Sequence, residues 1–167
     1  MKFPDRTTLF KRGFDALLII AVVYALLLAT GIIRRGGRFE EGRPAPNFKV
    51  QSLPDGQSLG LSDFAGKTLV VTFFSTTCPS CKRELPELDA MKDEVGDDVE
   101  FLIITNDNPQ RVLTYMESHD LDFHVAWDDG SAHDAFAVDT IPYNVVINPE
   151  GAIRADVIGG LRISDIL

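Results

Sequence analysis

The chain has 167 residues, enough for one domain with appendages, and 45% of them are hydrophobic. Its net charge of −9 is unevenly placed: residues 44–167 hold eight of the sixteen Lys and Arg but twenty-one of the twenty-five Asp and Glu. So acidic a domain argues against a nucleic-acid binder, which needs a basic footprint.

Residues 1–15 form a basic N-terminal segment with Lys2, Arg6, Lys11 and Arg12. Residues 16–33 (ALLIIAVVYALLLATGII) carry no charge. A helix of that length spans roughly 27 Å, close to the ~30 Å hydrocarbon core of a bilayer, so a single transmembrane anchor is predicted. The rival reading is a cleaved signal peptide, given the basic residues ahead and the small Ala29-Thr30-Gly31. Its apolar region usually runs about 7–15 residues, shorter than this one. Four basic residues precede the segment and four follow it, so charge alone leaves the orientation open. Residues 34–45 (RRGGRFEEGRPA) read as a flexible linker, and residues 46–167 as the folded domain.

Within the domain, residues 47–50 alternate like a short strand and residues 53–57 have turn chemistry. After a second turn at residues 65–67 comes a strand over 68–74, a continuous β-branched and aromatic run suited to burial on both faces. The next helix is predicted over 79–94: Pro79 suits its first turn, and Leu85, Leu88, Met91 and Val95 recur at three- and four-residue spacing. Pro86 inside it is expected to kink it. A strand at 99–105, a helix at 109–119, a strand at 123–127 and a short helix at 131–138 follow. Strands 145–147 and 152–158 form a hairpin across the turn Asn148-Pro149-Glu150-Gly151. The order is that of an α/β mixed sheet with helices on both faces. Asp128-Asp129 reads as a solvated turn, Trp127 as core or edge packing, and His119, His124 and His133 as ordinary surface or packing residues.

Between the buried strand and its helix stands Cys78-Pro79-Ser80-Cys81, which holds both cysteines of the chain. That placement is the sequence form of a thiol–disulfide redox site. Cys78 falls at a helix N-terminus, where unpaired N–H groups and the helix dipole favour a thiolate. It is the expected nucleophile, with Cys81, one turn on, resolving the mixed disulfide. A structural disulfide or half of a metal site is the plainer alternative. Zinc would need two more ligands, and the three histidines lack finger-like spacing. No metal or cofactor is expected.

Three stretches carry a family resemblance. Leu61-Ser62-Asp63-Phe64-Ala65-Gly66-Lys67 leads to the active-site strand, and residues 78–88 (CPSCKRELPEL) fit a C-x-x-C-x-x-E-x-P-x-L pattern. Ile141-Pro142 precedes the strand and turn of residues 145–151. Together they resemble the thioredoxin superfamily, and within it the TlpA/ResA/DsbE-like membrane-anchored thiol–disulfide oxidoreductases of bacterial envelopes. The resemblance implies a thioredoxin-like fold, a Cys78–Cys81 disulfide, a cis bond at Pro142, and a proton-accepting role for Glu84 in place of a buried acid where Thr72 stands. It implies that Ile141 presents backbone to a bound polypeptide beside Cys78, Pro79 and Ser80. Thr77 stands where the family usually has Trp, and Tyr143-Asn144 where it usually has Thr-Thr; substrate preference is expected to lie there. The helix that should follow Gly159-Gly160 is barely begun at Leu167.

The implied function is reduction of protein disulfides, in apocytochrome c or copper-site proteins, with electrons from a membrane thiol transporter. The domain would then lie on the extracytoplasmic side of a bacterial inner membrane, held to the bilayer by the N-terminal helix. Two alternatives fit the motif less well. A peroxiredoxin-like peroxidase motif, P-x-x-x-T-x-x-C, would need Pro and Thr where Val71 and Ser75 stand. A copper-binding assembly chaperone typically spaces its cysteines by three and adds a distal His, whereas these are spaced by two.

Overall fold

The structure, a computed structural model, describes residues 17–26 and 37–167. The chain divides into two compact units, Met1–Gly36 and Gly37–Leu167. In the first, residues 17–26 form a helix, α1, whose large apolar side chains Leu17, Ile19, Ile20 and Leu26 are all exposed. The basic segment 1–15 and the rest of the predicted anchor, residues 16 and 27–33, lie outside the described residues. Among the described residues no helix is long and apolar enough to cross a membrane.

The second unit is built on a seven-stranded mixed sheet of order β2-β1-β5-β4-β3-β6-β7. Its strands are β1 (Lys49–Ser52), β2 (Ser58–Gly60), β3 (Thr68–Phe73), β4 (Val99–Thr105), β5 (His124–Trp127), β6 (Tyr143–Ile147) and β7 (Ile153–Ile158). The central strands β3, β4 and β5 are parallel. Parallel neighbours need long crossovers, and α2 (Pro79–Val95) and α3 (Pro109–Ser118) supply them. The hairpin β6–β7 adds antiparallel strands on one side, with β6 paired to β3, and β1–β2 adds them on the other.

Alternation along β3 sends Leu69, Val71 and Phe73 to one face and Val70, with Phe74 just past the strand, to the other. The first face packs Phe48, Phe136 and Ile153, with Ala132 from α4 (Ser131–Ala135). The second packs Leu85 and Leu88 of α2, Val112 and Met116 of α3, and Ile166 of α5 (Ile163–Ile166). Leu85 and Leu88 are fully buried, and each such side chain contributes about 1.5–3 kcal/mol. The α2 helix runs unbroken through Pro86.

Residues 37–45 differ from the linker reading. They lie along the free edge of β7: Gly42 N–H donates to Ile153 O, Ile153 N–H to Arg43 O, and Ala45 N–H to Gly151 O, at 2.8–2.9 Å. Phe39 packs edge-on against Phe136, and Asp156 accepts from the backbone N–H groups of Arg38 and Phe39. Gly37 passes so close to Asp156 that a Cβ there would collide with its carboxylate. Polar composition concealed a segment whose backbone pairs with an open strand edge. Two other features carried no signal in composition, the short strand β2 and a cis bond at Leu53–Pro54 beside the cis bond at Ile141–Pro142.

Candidate active site

The parallel strands β3 and β4 end side by side, and the loops that follow them are tied together there. Asp107 Oδ2 accepts from Thr76 N–H and Thr76 Oγ1–H, both at 2.6 Å, and from Ser75 Oγ at 3.1 Å. Burial works to raise the Asp107 carboxyl, but these hydrogen bonds and the nearby Arg111 hold it below the usual carboxylate range. The clamp fixes residues 75–77 and so the entry to α2. Asn108 caps α3 by accepting from Arg111 N–H at 3.2 Å. Asp107 was missed by sequence reading, because an acid in a loop after a strand has no marker of what it faces.

Cys78 is the N-cap of α2, with Pro79 in the first turn. Its Sγ accepts from Cys81 N–H at 3.1 Å and lies 3.3 Å from Ser80 Oγ. The two cysteines are joined as a disulfide, with Cα atoms 5.3 Å apart. Cys78 is half-buried, whereas Cys81 is 1% exposed. Thr77 and Pro79 are exposed, and Ser80 and Ile141 are partly so. The carbonyl of Ile141 stands 3.8 Å from Cys78 Sγ, on the residue before cis-Pro142, which is itself buried. Thus Thr77, Cys78, Pro79, Ser80 and Ile141 meet on one surface.

Glu84 lies beneath that surface. It is one turn after Cys81 on α2, so the two side chains are neighbours on one helix face, and it is 6% exposed. Its Oε1 accepts from Asn144 Nδ2 at 2.5 Å. The backbone N–H groups of Gly160 and Leu161 also favour its charged form. Burial raises the Glu84 carboxyl above its usual range, and these donors offset only part of that. Gly159 and Gly160, both at positive φ, turn the chain so that those two amides face inward.

Tyr143 corrects an expectation. Its place after Pro142 predicts a substrate contact, but its side chain is wholly buried. Its hydroxyl donates to Asp156 Oδ2 at 2.6 Å, and its ring stacks on Phe73. Alternation along β6 explains this: one residue past Pro142 the strand has entered the sheet, and Tyr143 points to the core face opposite α2. Asn144 points the other way, also fully buried, toward Glu84. Neither side chain is exposed at the surface.

A second correction concerns Asp128, which is 1% exposed rather than a solvated turn residue. It accepts from Ala132 N–H and His133 N–H and pairs with His133 Nδ1 at 2.7 Å, closing the start of α4. Although burial opposes it, these bonds hold the Asp128 carboxyl below its usual range. His133, itself partly exposed, is therefore the partner of a buried carboxylate. Among the described residues no group of three or more His, Cys, Asp or Glu is placed to hold a metal ion.

Residues 42–156 match the AhpC/TSA family. The chain is similar to the thiol–disulfide oxidoreductase ResA of Bacillus subtilis, with 30% identity across 96% of this chain and 90% of that one. Among solved structures it is similar to a thiol:disulfide interchange protein of the thioredoxin family from Chlorobium tepidum. That match has a TM-score of 0.63 and 26% identity, over 76% of this chain and 92% of that one. It is also similar to StoA from Bacillus subtilis, with a TM-score of 0.59 and 25% identity over 72% and 92% of the respective chains.

Proposed function

This chain belongs to the AhpC/TSA family of thioredoxin-like proteins and is a thiol–disulfide oxidoreductase, and we propose that it is an anchored reductant of protein disulfides in the bacterial envelope. The observation that carries the reading is the pairing of a half-exposed Cys78 at the N-cap of α2 with a buried Cys81 and a buried carboxylate one turn below. In the reduced enzyme the Cys78 thiolate attacks one sulfur of a client disulfide. That S–S bond breaks, one client sulfur leaves as thiolate, and a mixed disulfide to Cys78 forms. Glu84 takes the Cys81 proton, and the Cys81 thiolate attacks Cys78 Sγ and expels the second client thiolate. Two electrons pass to the client, and the enzyme is left as the Cys78–Cys81 disulfide. Ile141, before cis-Pro142, offers backbone to the client as an added strand, with Thr77, Pro79 and Ser80 forming the rest of the contact.

The clients in this reading are cysteines of apocytochrome c or of copper-site proteins, and a membrane thiol transporter returns the electrons. Residues 16–33 anchor the chain in the inner membrane, with the domain on the extracytoplasmic side. What supports the anchor is the uncharged run itself and the outward-facing apolar side chains along α1. The full chain in detergent micelles is expected to reduce a disulfide-closed Cys-x-x-Cys-His peptide, the haem-attachment motif, faster than it reduces insulin. Peroxide turnover at a comparable rate would favour a peroxidase instead, and stoichiometric retention of Cu(I) a copper chaperone.

A further inference from the structure

Glu84 Oε1 accepts a hydrogen bond from Asn144, a side chain with no other evident task. Asn144 is fully buried on β6, directly opposite Thr72 of β3 in the antiparallel register. Thr72 Oγ1–H donates to Asn144 Oδ1 at 2.7 Å. With its oxygen engaged there, the amide must present Nδ2 on the other side, where it donates to Glu84 Oε1. An ionised carboxylate only accepts, so this orientation of the amide matches the ionised form. Three elements thus meet in one chain of hydrogen bonds, Thr72 on β3, Asn144 on β6 and Glu84 on α2. Cys81 stands one turn before Glu84 on α2, and the charge of Glu87 and the backbone amides of Gly160 and Leu161 also act on Glu84.

We infer that Asn144 is a positioning residue for the resolving half-reaction: clamped by Thr72, it holds the Glu84 carboxylate in the orientation from which it takes the Cys81 proton. The inference rests on the reading of Glu84 as the base. It assigns the second residue after the cis-proline to catalysis from below the site, where the sequence suggested a client contact. The Asn144 hydrogen bond offsets part of the burial that works against a charged Glu84, so losing it moves the ionisation of Glu84 to higher pH.

The test uses the reduced full chain in single-turnover reaction with oxidised glutathione from pH 4.5 to 8.5. Release of the second glutathione reports resolution. Alkylation of Cys78 by iodoacetamide, in a Cys81→Ser background, reports the nucleophile separately. Asn144→Leu, of similar volume but without the donor, is expected to shift the acid limb of release upward and slow release about tenfold at pH 6, the loss of one charge-assisted hydrogen bond. Alkylation of Cys78 should stay within about twofold of the parent. Asn144→Asp, which sets a carboxylate against a carboxylate, should shift the limb further. If Asn144→Leu does not fold, Thr72→Val, which frees the amide to turn, should move the limb the same way by less. A folded Asn144→Leu or Thr72→Val chain with the parent profile, while Glu84→Gln removes the acid limb, overturns the role of Asn144 alone. If Glu84→Gln also keeps the parent profile, the base reading itself falls.

Discussion

Replacing Glu84 by Gln separates what the site gains from what the fold loses. Glu84 is 6% exposed, its Oε1 accepts from Asn144 Nδ2, and the N–H groups of Gly160 and Leu161 favour its charged form. Gln keeps the volume but has one acceptor oxygen, so its amide nitrogen must face at least one donor. At acid pH this should cost about 1–3 kcal/mol, the penalty of a buried polar group left without a partner. The wild-type carboxyl is raised by burial, so the folded state holds its proton more tightly than the unfolded chain does. Its stabilising contribution is therefore complete below the ordinary carboxylate value and is lost as pH rises through the folded value, at about 1.4 kcal/mol for each unit between them. The Gln variant lacks that loss. Asp107 and Asp128 titrate in both chains and cancel in the difference. Urea unfolding of the two oxidised full chains at pH 4.5 and pH 8 should show wild type more stable by the wider margin at pH 4.5, with the gap narrowing at pH 8. A gap that is constant or widens with pH would refute the raised carboxyl.

Two further substitutions probe the frame around the cysteines. Asp107→Asn leaves an amide where Thr76 N–H, Thr76 Oγ1–H and Ser75 Oγ converge. It should cost about 1–3 kcal/mol at pH 7 and slow attack by Cys78, read from urea unfolding and iodoacetamide alkylation. Because the Asp107 carboxyl is held low, the deficit should be full at neutral pH and shrink as pH falls through its folded-state value. Tyr143→Phe removes the buried bond to Asp156 and should cost about 1 kcal/mol while leaving the preference between a Cys-x-x-Cys-His peptide and insulin unchanged. A changed preference would put Tyr143 back among the client contacts.

Much of this molecule was legible because its central strands and helices carry strong periodic signals. The 68–74 run reads as a strand buried on both faces and forms one over Thr68–Phe73, and the 99–105 run forms a strand over its whole length. The cysteine pair announced itself by position between such a strand and a proline-started helix. Other features depended on facts no local pattern encodes. That Asp107 and Asp128 are internal follows from which loops the sheet order brings together, and an acid in a polar loop looks the same whether clamped or solvated. Tyr143 adjoins Pro142 in sequence but points into the core, because one step along a strand reverses the face. Residues 37–45 looked like linker by composition, yet an unpaired edge of β7 gave their backbone a partner.

The central claim is that Cys78 attacks client disulfides and Cys81 releases them, and trapping tests it most directly. Full-length Cys81→Ser expressed in bacterial cells, acid-quenched and run without reductant, should accumulate mixed disulfides with envelope proteins that vanish in Cys78→Ser/Cys81→Ser. Absence of any adduct, together with no Cys78–Cys81 disulfide in the wild-type chain under any redox buffer, would contradict the account.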